Sequence, residues 1–184
     1  MTDVPVGERA GAAEPRPTRH VVVIGVSGSG KSTVAAAIAQ RTGYVLGEAD
    51  DFHSAANIAK MSAGVALTDE DRWPWLQALA GWMREQSAAG RSTVLACSAL
   101  RRSYRDVLRG GPPRLDLVLL QGPSEVIHER ILGRHGHFMP ATLLDSQLAT
   151  LEPLAPDEGG IVLDIRAAPD ELADQAVARL GLAR

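Results

Sequence analysis

The sequence predicts a three-layer α/β/α fold, with one five-stranded parallel sheet and helices on both faces. Three observations predict it. Short apolar runs alternate with helix-favouring stretches along the chain, as successive βαβ units require. The first run, Val21-Val22-Val23-Ile24, is apolar and β-branched throughout, as a strand buried on both faces should be. Directly after it stands Gly25-Val26-Ser27-Gly28-Ser29-Gly30-Lys31-Ser32, which fits the phosphate-loop pattern G-x-x-x-x-G-K-[ST]. The pattern lies where it has to lie, between a strand and a helix.

The elements follow in order. Residues 1–19 hold Pro5, Pro15, Pro17, small residues and scattered charge, and are expected to be a disordered tail. Residues 20–184 form a single domain. Strand one is Val21–Gly25. The alanine-rich stretch from Lys31 to Thr42 is a helix closed by Gly43. Tyr44-Val45-Leu46 is a short second strand leading into Glu48-Ala49-Asp50-Asp51. A helix covers Ala55–Ser62. Thr68 caps a long helix with an acidic first turn, in which Trp75, Leu79 and Trp82 recur at core spacing and Pro74 lies in the first turns. Thr93–Cys97 is the third strand and Arg101–Arg109 a basic helix ended by Gly110-Gly111-Pro112-Pro113. Leu115–Leu120 is the fourth strand, followed by helices over Pro123–Leu132 and Ala141–Leu151. Ile161–Leu163 is the fifth strand and Pro169–Leu180 the closing helix.

Composition narrows the class. The chain has 184 residues, 45% hydrophobic and 22% charged, which suits one globular α/β domain. A net charge of −3 gives no global attraction to nucleic acid or an anionic membrane. Cys97 is the single cysteine, so no internal disulfide forms, and it reads as a small buried residue. No apolar run is long enough to span a bilayer, and no signal-peptide pattern opens the sequence. The expected location is cytoplasmic.

The phosphate loop carries specific chemistry. Glycines let the backbone turn tightly, so that successive N–H groups form a nest for phosphate oxygens, and the helix behind adds its unpaired N–H groups and positive dipole end. Gly25, Ser27, Gly28, Ser29, Gly30, Lys31, Ser32 and Thr33 are the expected nucleotide-binding residues, with Lys31 reaching the β- and γ-phosphates and Ser32 available to Mg²⁺. No N-K-x-D guanine-reading motif is present, which argues against a switch GTPase. The third strand ends in Cys97-Ser98 and not in a Walker-B aspartate. A carboxylate for the metal must then come from strand two, where Glu48 and Asp50 are the nearest candidates.

Several further motifs stand in one order. They are Glu48-Ala49-Asp50-Asp51-Phe52-His53, Asn57-Ile58-Ala59-Lys60-Met61 and the run from Leu67 through Thr68-Asp69-Glu70-Asp71-Arg72-Trp73-Pro74-Trp75 to Leu76. Cys97-Ser98-Ala99-Leu100, Tyr104-Arg105-Asp106, His137-Phe138, Leu143-Leu144 and Ser146-Gln147 follow. From about His20 to Leu180 this order resembles the gluconokinases, within the shikimate-kinase and nucleoside-monophosphate-kinase group of phosphate-loop kinases. The resemblance implies ATP- and Mg²⁺-dependent phosphorylation of D-gluconate to 6-phospho-D-gluconate. It also implies a helical substrate-binding segment at about 51–90, a mobile lid at about 133–141, and a homodimer. One departure is Ala49, where the family usually has glycine.

The site residues take these roles. Asp50, after strand two, is the expected general base or hydroxyl-orienting group. Glu48 either holds a Mg²⁺-bound water or caps a neighbouring element. Arg72 is the expected clasp for the substrate carboxylate, against the alternative of a helix salt bridge with Asp69. His53, Ser98, Arg101 and Gln147 are candidate contacts for the polyol or its carboxylate. Arg130 and Arg134 are the expected catalytic arginines beside the lid, the alternative for Arg130 being a salt bridge with Glu125 or Glu129. His135-Gly136-His137 lacks a third ligand and is not read as a metal site. Two other readings stay open: a kinase for another acceptor (shikimate, another sugar acid or a nucleoside monophosphate), and a catalytically silent nucleotide-binding regulator.

Overall fold

A computed structural model describes residues 17–132 and 141–182 of the chain. Five parallel strands form one sheet in the order β2-β3-β1-β4-β5: β1 (His20–Ile24), β2 (Val45–Glu48), β3 (Thr93–Ala96), β4 (Leu115–Gln121) and β5 (Gly160–Asp164). The described helices are α1 (Lys31–Thr42), α2 (Ala55–Ser62), α3 (Asp69–Ala88), α4 (Arg102–Arg109), α5 (Ser124–Leu132), α6 (Ala141–Thr150) and α7 (Pro169–Leu180), with 3₁₀ turns at Ala49–Phe52 and Pro156–Glu158.

Strand periodicity makes the two outer layers. Alternate side chains of β1 leave opposite faces of the sheet. Val21 and Val23 pack with Val34, Ile38, Val118 and Leu172 on one face. Val22 and Ile24 pack with Trp75, Leu76, Leu79, Met83 and Leu119 on the other. Full burial of one such side chain contributes about 1.5–3 kcal/mol, so α3 is held mainly by its apolar stripe. Its start is fixed by a capping box: Thr68 Oγ1 accepts from the Asp71 N–H, and Asp71 Oδ2 accepts from the Thr68 N–H at 2.9 Å. Lys60 from α2 grips the same carboxylate at 2.7 Å.

Three expectations move. The fold takes in Thr18, hydrogen-bonded to Ser87, and Arg19, paired with Asp116 at 2.6 Å, so the ordered chain starts before residue 20. Strand β2 runs on through Gly47 to Glu48, past the expected end at Leu46. The glycine is there for contact: a Cβ on Gly47 would come within 2.7 Å of Trp82 Cη2. Trp82, expected in the core, is half-buried over that glycine and meets Phe52 edge-on at 5.7 Å. Trp75 is buried as expected. The triplet His135-Gly136-His137, Arg134 and most of the expected lid lie outside the described residues.

Candidate active site

Strands β1, β2 and β3 are parallel neighbours, so the segments that follow them open at one edge of the sheet. The phosphate loop follows β1. Gly28 is buried at φ +79°, which favours glycine, and a Cβ there would come within 2.7 Å of Ile131 and force that side chain to shift. Gly30 (φ +96°) is the N-cap of α1, so the first free N–H groups of that helix face the loop. Ser29 turns its side chain inward under Gly25, where its Oγ is buried without a hydrogen-bond partner among the described residues. Ser29 therefore offers a ligand its backbone only. Ser32 and Thr33 are exposed at the mouth of the loop.

Polar groups of the loop find partners within it and on neighbouring elements. Lys31 Nζ donates to the Val26 carbonyl at 3.0 Å. The Ser27 N–H donates to Gln147 Oε1 at 2.7 Å, which brings α6 onto the loop. Arg130 donates to the Ser29 carbonyl at 3.5 Å and the Ile165 carbonyl at 2.5 Å, and pairs with neither Glu125 nor Glu129. Gln147 and Arg130 thus both lie against the phosphate loop.

The end of β2 supplies the carboxylates. Ser32 Oγ donates to Glu48 Oε2 at 3.0 Å. Burial raises the Glu48 pKa, Asp50 and Asp51 push the same way, and Ser32 and Lys31 oppose them. One hydroxyl and one carboxylate held together suit Mg²⁺, which takes few protein ligands and keeps waters and phosphate oxygens. Among the described residues no group of three or more His, Cys, Asp or Glu side chains forms a metal cage. Asp50 follows in the 3₁₀ turn with its side chain 95% exposed. Ala49 is buried and its φ is not positive, so the alanine fits this turn without strain.

His53 ends that turn. Its side chain is only 5% exposed, stacked on Trp75 at 4.4 Å and 13°, with Nε2 4.0 Å from Asp50 and Nδ1 unpartnered among the described residues. Burial lowers its pKa; Asp50 opposes this and Arg72 adds to it, so the imidazole is neutral at pH 7. Trp75 Nε1–H in turn donates to the Ala49 carbonyl at 2.7 Å and fixes the turn that carries Asp50.

The third edge is a charged cluster. Arg101 is 2.9 Å from Asp69, and the Tyr104 hydroxyl donates to the same carboxylate at 2.5 Å. Arg72 is 3.7 Å from Asp69 and donates to the Tyr104 hydroxyl at 3.4 Å. Both guanidinium groups flank the Tyr104 ring, at 5.6 and 5.7 Å from its centroid. The helix salt bridge weighed for Arg72 therefore exists, but it is long and shared, and leaves the guanidinium 30% exposed. Ser98 is half-buried and its carbonyl accepts from the Gly25 N–H at 3.4 Å, so it sits beside the loop.

Tyr104, Arg105 and Glu158 were given no role from the sequence, and Asp69 was named there only as a helix partner for Arg72. Asp69 and Tyr104 organise the two arginines. Arg105 is fully buried in a two-pronged pair with Glu158 at 2.6 and 2.8 Å, and it also donates to the carbonyls of Leu100, Glu152 and Pro153. It braces the turn at Ala99, the one non-glycine residue at positive φ (+36°) among those described. The signal for Asp69 and Tyr104 was present in the quoted motifs, but their meeting depends on how α3 packs on α4.

A family model described as an AAA domain matches residues 21–154. The gluconokinase of Gluconobacter oxydans is 46% identical over 86% of this chain and 89% of its own. The unliganded crystal structure of a sugar kinase from Janibacter sp. HTCC2649 is 60% identical, covering 91% of this chain and 96% of that one, with a TM-score of 0.87. A gluconokinase structure from Sinorhizobium meliloti 1021 is 46% identical, covering 90% and 92%, with a TM-score of 0.80. At this identity over most of both chains, and with a phosphate loop after β1 and Asp50 after β2, the chain belongs to the gluconokinase family.

Proposed function

We propose that this chain transfers the γ-phosphoryl group of ATP to the terminal hydroxyl of D-gluconate, giving 6-phospho-D-gluconate and ADP. One observation carries the reading: the phosphate loop, Asp50 and the Arg72–Arg101 cluster follow three adjacent parallel strands or pack on the segments that do. A nucleoside triphosphate and an acidic polyol can then meet at one edge.

The loop N–H groups, with Lys31 swung off the Val26 carbonyl, hold the β- and γ-phosphates. Arg72 and Arg101 take the gluconate carboxylate, and His53 and Ser98 face the polyol chain. The hydroxyl oxygen attacks phosphorus in line, the bond to the ADP oxygen breaks, and Asp50 accepts the hydroxyl proton late in the transfer. Mg²⁺, when held by Ser32 and Glu48, would neutralise charge on the phosphates. Arg130, beside Ser29, adds positive charge at the loop, and Arg134, which lies outside the described residues, is the second catalytic arginine of this reading. Gln147 links the loop to the segment after the lid. No described helix is long and apolar enough to cross a membrane. The reading includes a cytoplasmic protein, supported by the buried free thiol of Cys97, whose pKa burial pushes to about 12, and a homodimer, which light scattering would read.

The test is ADP release measured across gluconate, other sugar acids, shikimate and nucleoside monophosphates. Turnover is expected with gluconate above all others. Turnover with shikimate or a nucleotide alone would reassign the acceptor, and ATP binding without transfer to any of them would make the chain a regulator.

A further inference from the structure

Two arginines and one aspartate share the acceptor edge, and the aspartate has no place in the mechanism. Asp69 is the first residue of α3, and its carboxylate receives Arg101 at 2.9 Å and the Tyr104 hydroxyl on separate oxygens, with Arg72 at 3.7 Å. Two guanidinium charges against one carboxylate leave the cluster one net positive charge. Both arginines keep exposed surface, at 30% and 41%, so they can take a further anion without releasing Asp69. The Tyr104 ring, 3% exposed, walls the cluster from behind, and burial raises its hydroxyl pKa with Asp69 adding to the shift, so it stays a neutral donor.

We infer that Asp69 is a specificity-determining residue that sets the acceptor site to a singly charged anion. A carboxylate completes the charge balance. A dianionic group such as a phosphate or phosphonate brings one charge too many and meets the Asp69 carboxylate at close range, where like charges repel. A kinase whose product gains a phosphate has a use for this: the product, or any phosphorylated polyol, is disfavoured at the carboxylate end. Asp69 acts through Arg72, Arg101 and Tyr104 by holding their donors in place, so it is a positioning residue. The inference rests on the reading of this cluster as the site for the substrate carboxylate.

The probe pair is gluconate and the analogue in which phosphonate replaces its carboxylate, both with the terminal hydroxyl intact. For each, KM and kcat are measured in wild type, Asp69→Asn, Asp69→Glu and Arg101→Gln. Wild type prefers the carboxylate. Asp69→Asn moves the ratio of kcat/KM by about tenfold or more toward the phosphonate, mainly through KM, with the KM for ATP unchanged. Asp69→Glu restores the carboxylate preference. Arg101→Gln removes a positive charge and moves the ratio the opposite way, so the charge argument is still decided should Asp69→Asn fail to fold. An unchanged ratio in Asp69→Asn, or movement of both arms in the same direction, overturns the inference and leaves the wild type's assignment to gluconate standing. Absence of gluconate turnover in wild type overturns the reading beneath it.

Discussion

The donor and acceptor edges of the crevice are built on different principles. The donor edge is one run of eight consecutive residues, Gly25–Ser32, and it works through backbone N–H groups placed by glycine geometry and a helix start. The acceptor edge is assembled from side chains of α3, the β3–α4 turn and α4, with partners 32 and 35 residues apart in sequence. The first recognises phosphate by a nest that needs few side-chain charges. The second, as proposed, takes an acid by a local count of charges, and its α4 is braced by Arg105 and Glu158, buried behind it. Damage should therefore stay local at the donor edge and spread from the scaffold at the acceptor edge.

The largest effect is expected at the donor edge. Lys31→Ala should lower kcat/KM for ATP on the order of 10³-fold, since a preorganised cation on the transferring group is lost, while thermal melting barely changes. A loss of activity that tracks a loss of folding would erase the distinction between the two edges. Asp50→Asn is of comparable size, with turnover reduced by about 10²–10⁴-fold and the KM for ATP near normal. Unchanged turnover would remove Asp50 from proton transfer.

The scaffold responds differently. Glu158→Gln leaves Arg105 buried with a neutral partner and should cost about 3–5 kcal/mol of stability, read by denaturant unfolding. The pH dependence has a definite sign. The Arg105 hydrogen bonds hold the Glu158 pKa at about 2, against an ordinary value of 4.5. The pair's contribution is fully present above pH 4.5 and is lost as pH falls toward 2. Unfolding curves of wild type and Glu158→Gln should converge over that window; parallel curves would mean the pair carries no such linkage. The smallest effect belongs to Ala49→Gly. Ala49 does not use positive φ, so restoring glycine brings no relief, and unfolded-chain entropy should cost about 0.4–1 kcal/mol with activity unchanged.

The same contrast explains what the sequence could reveal. A loop that works through its own consecutive backbone can be read from one line of residues, and the strand and helix around it confirm it. The five strands were legible because buried parallel strands are apolar runs. Strand β2 read short because Gly47 resembles a breaker, and only the packing of Trp82 shows why a glycine continues the strand. Arg72 and Arg101 could be named as candidates one by one. Arg72 beside Asp69 is a local helix pair, but that Arg101 and Tyr104 join the same carboxylate depends on the docking of α3 against α4, which no local pattern encodes. Gln147 against Ser27 is hidden for the same reason, since 120 residues separate them.

Steady-state kinetics of Arg72→Ala with both substrates varied test the division most directly. The KM for gluconate should rise by about tenfold or more, as loss of a charge-assisted contact implies, with the KM for ATP unchanged. A rise in the KM for ATP, or a gluconate KM equal to wild type, would contradict it.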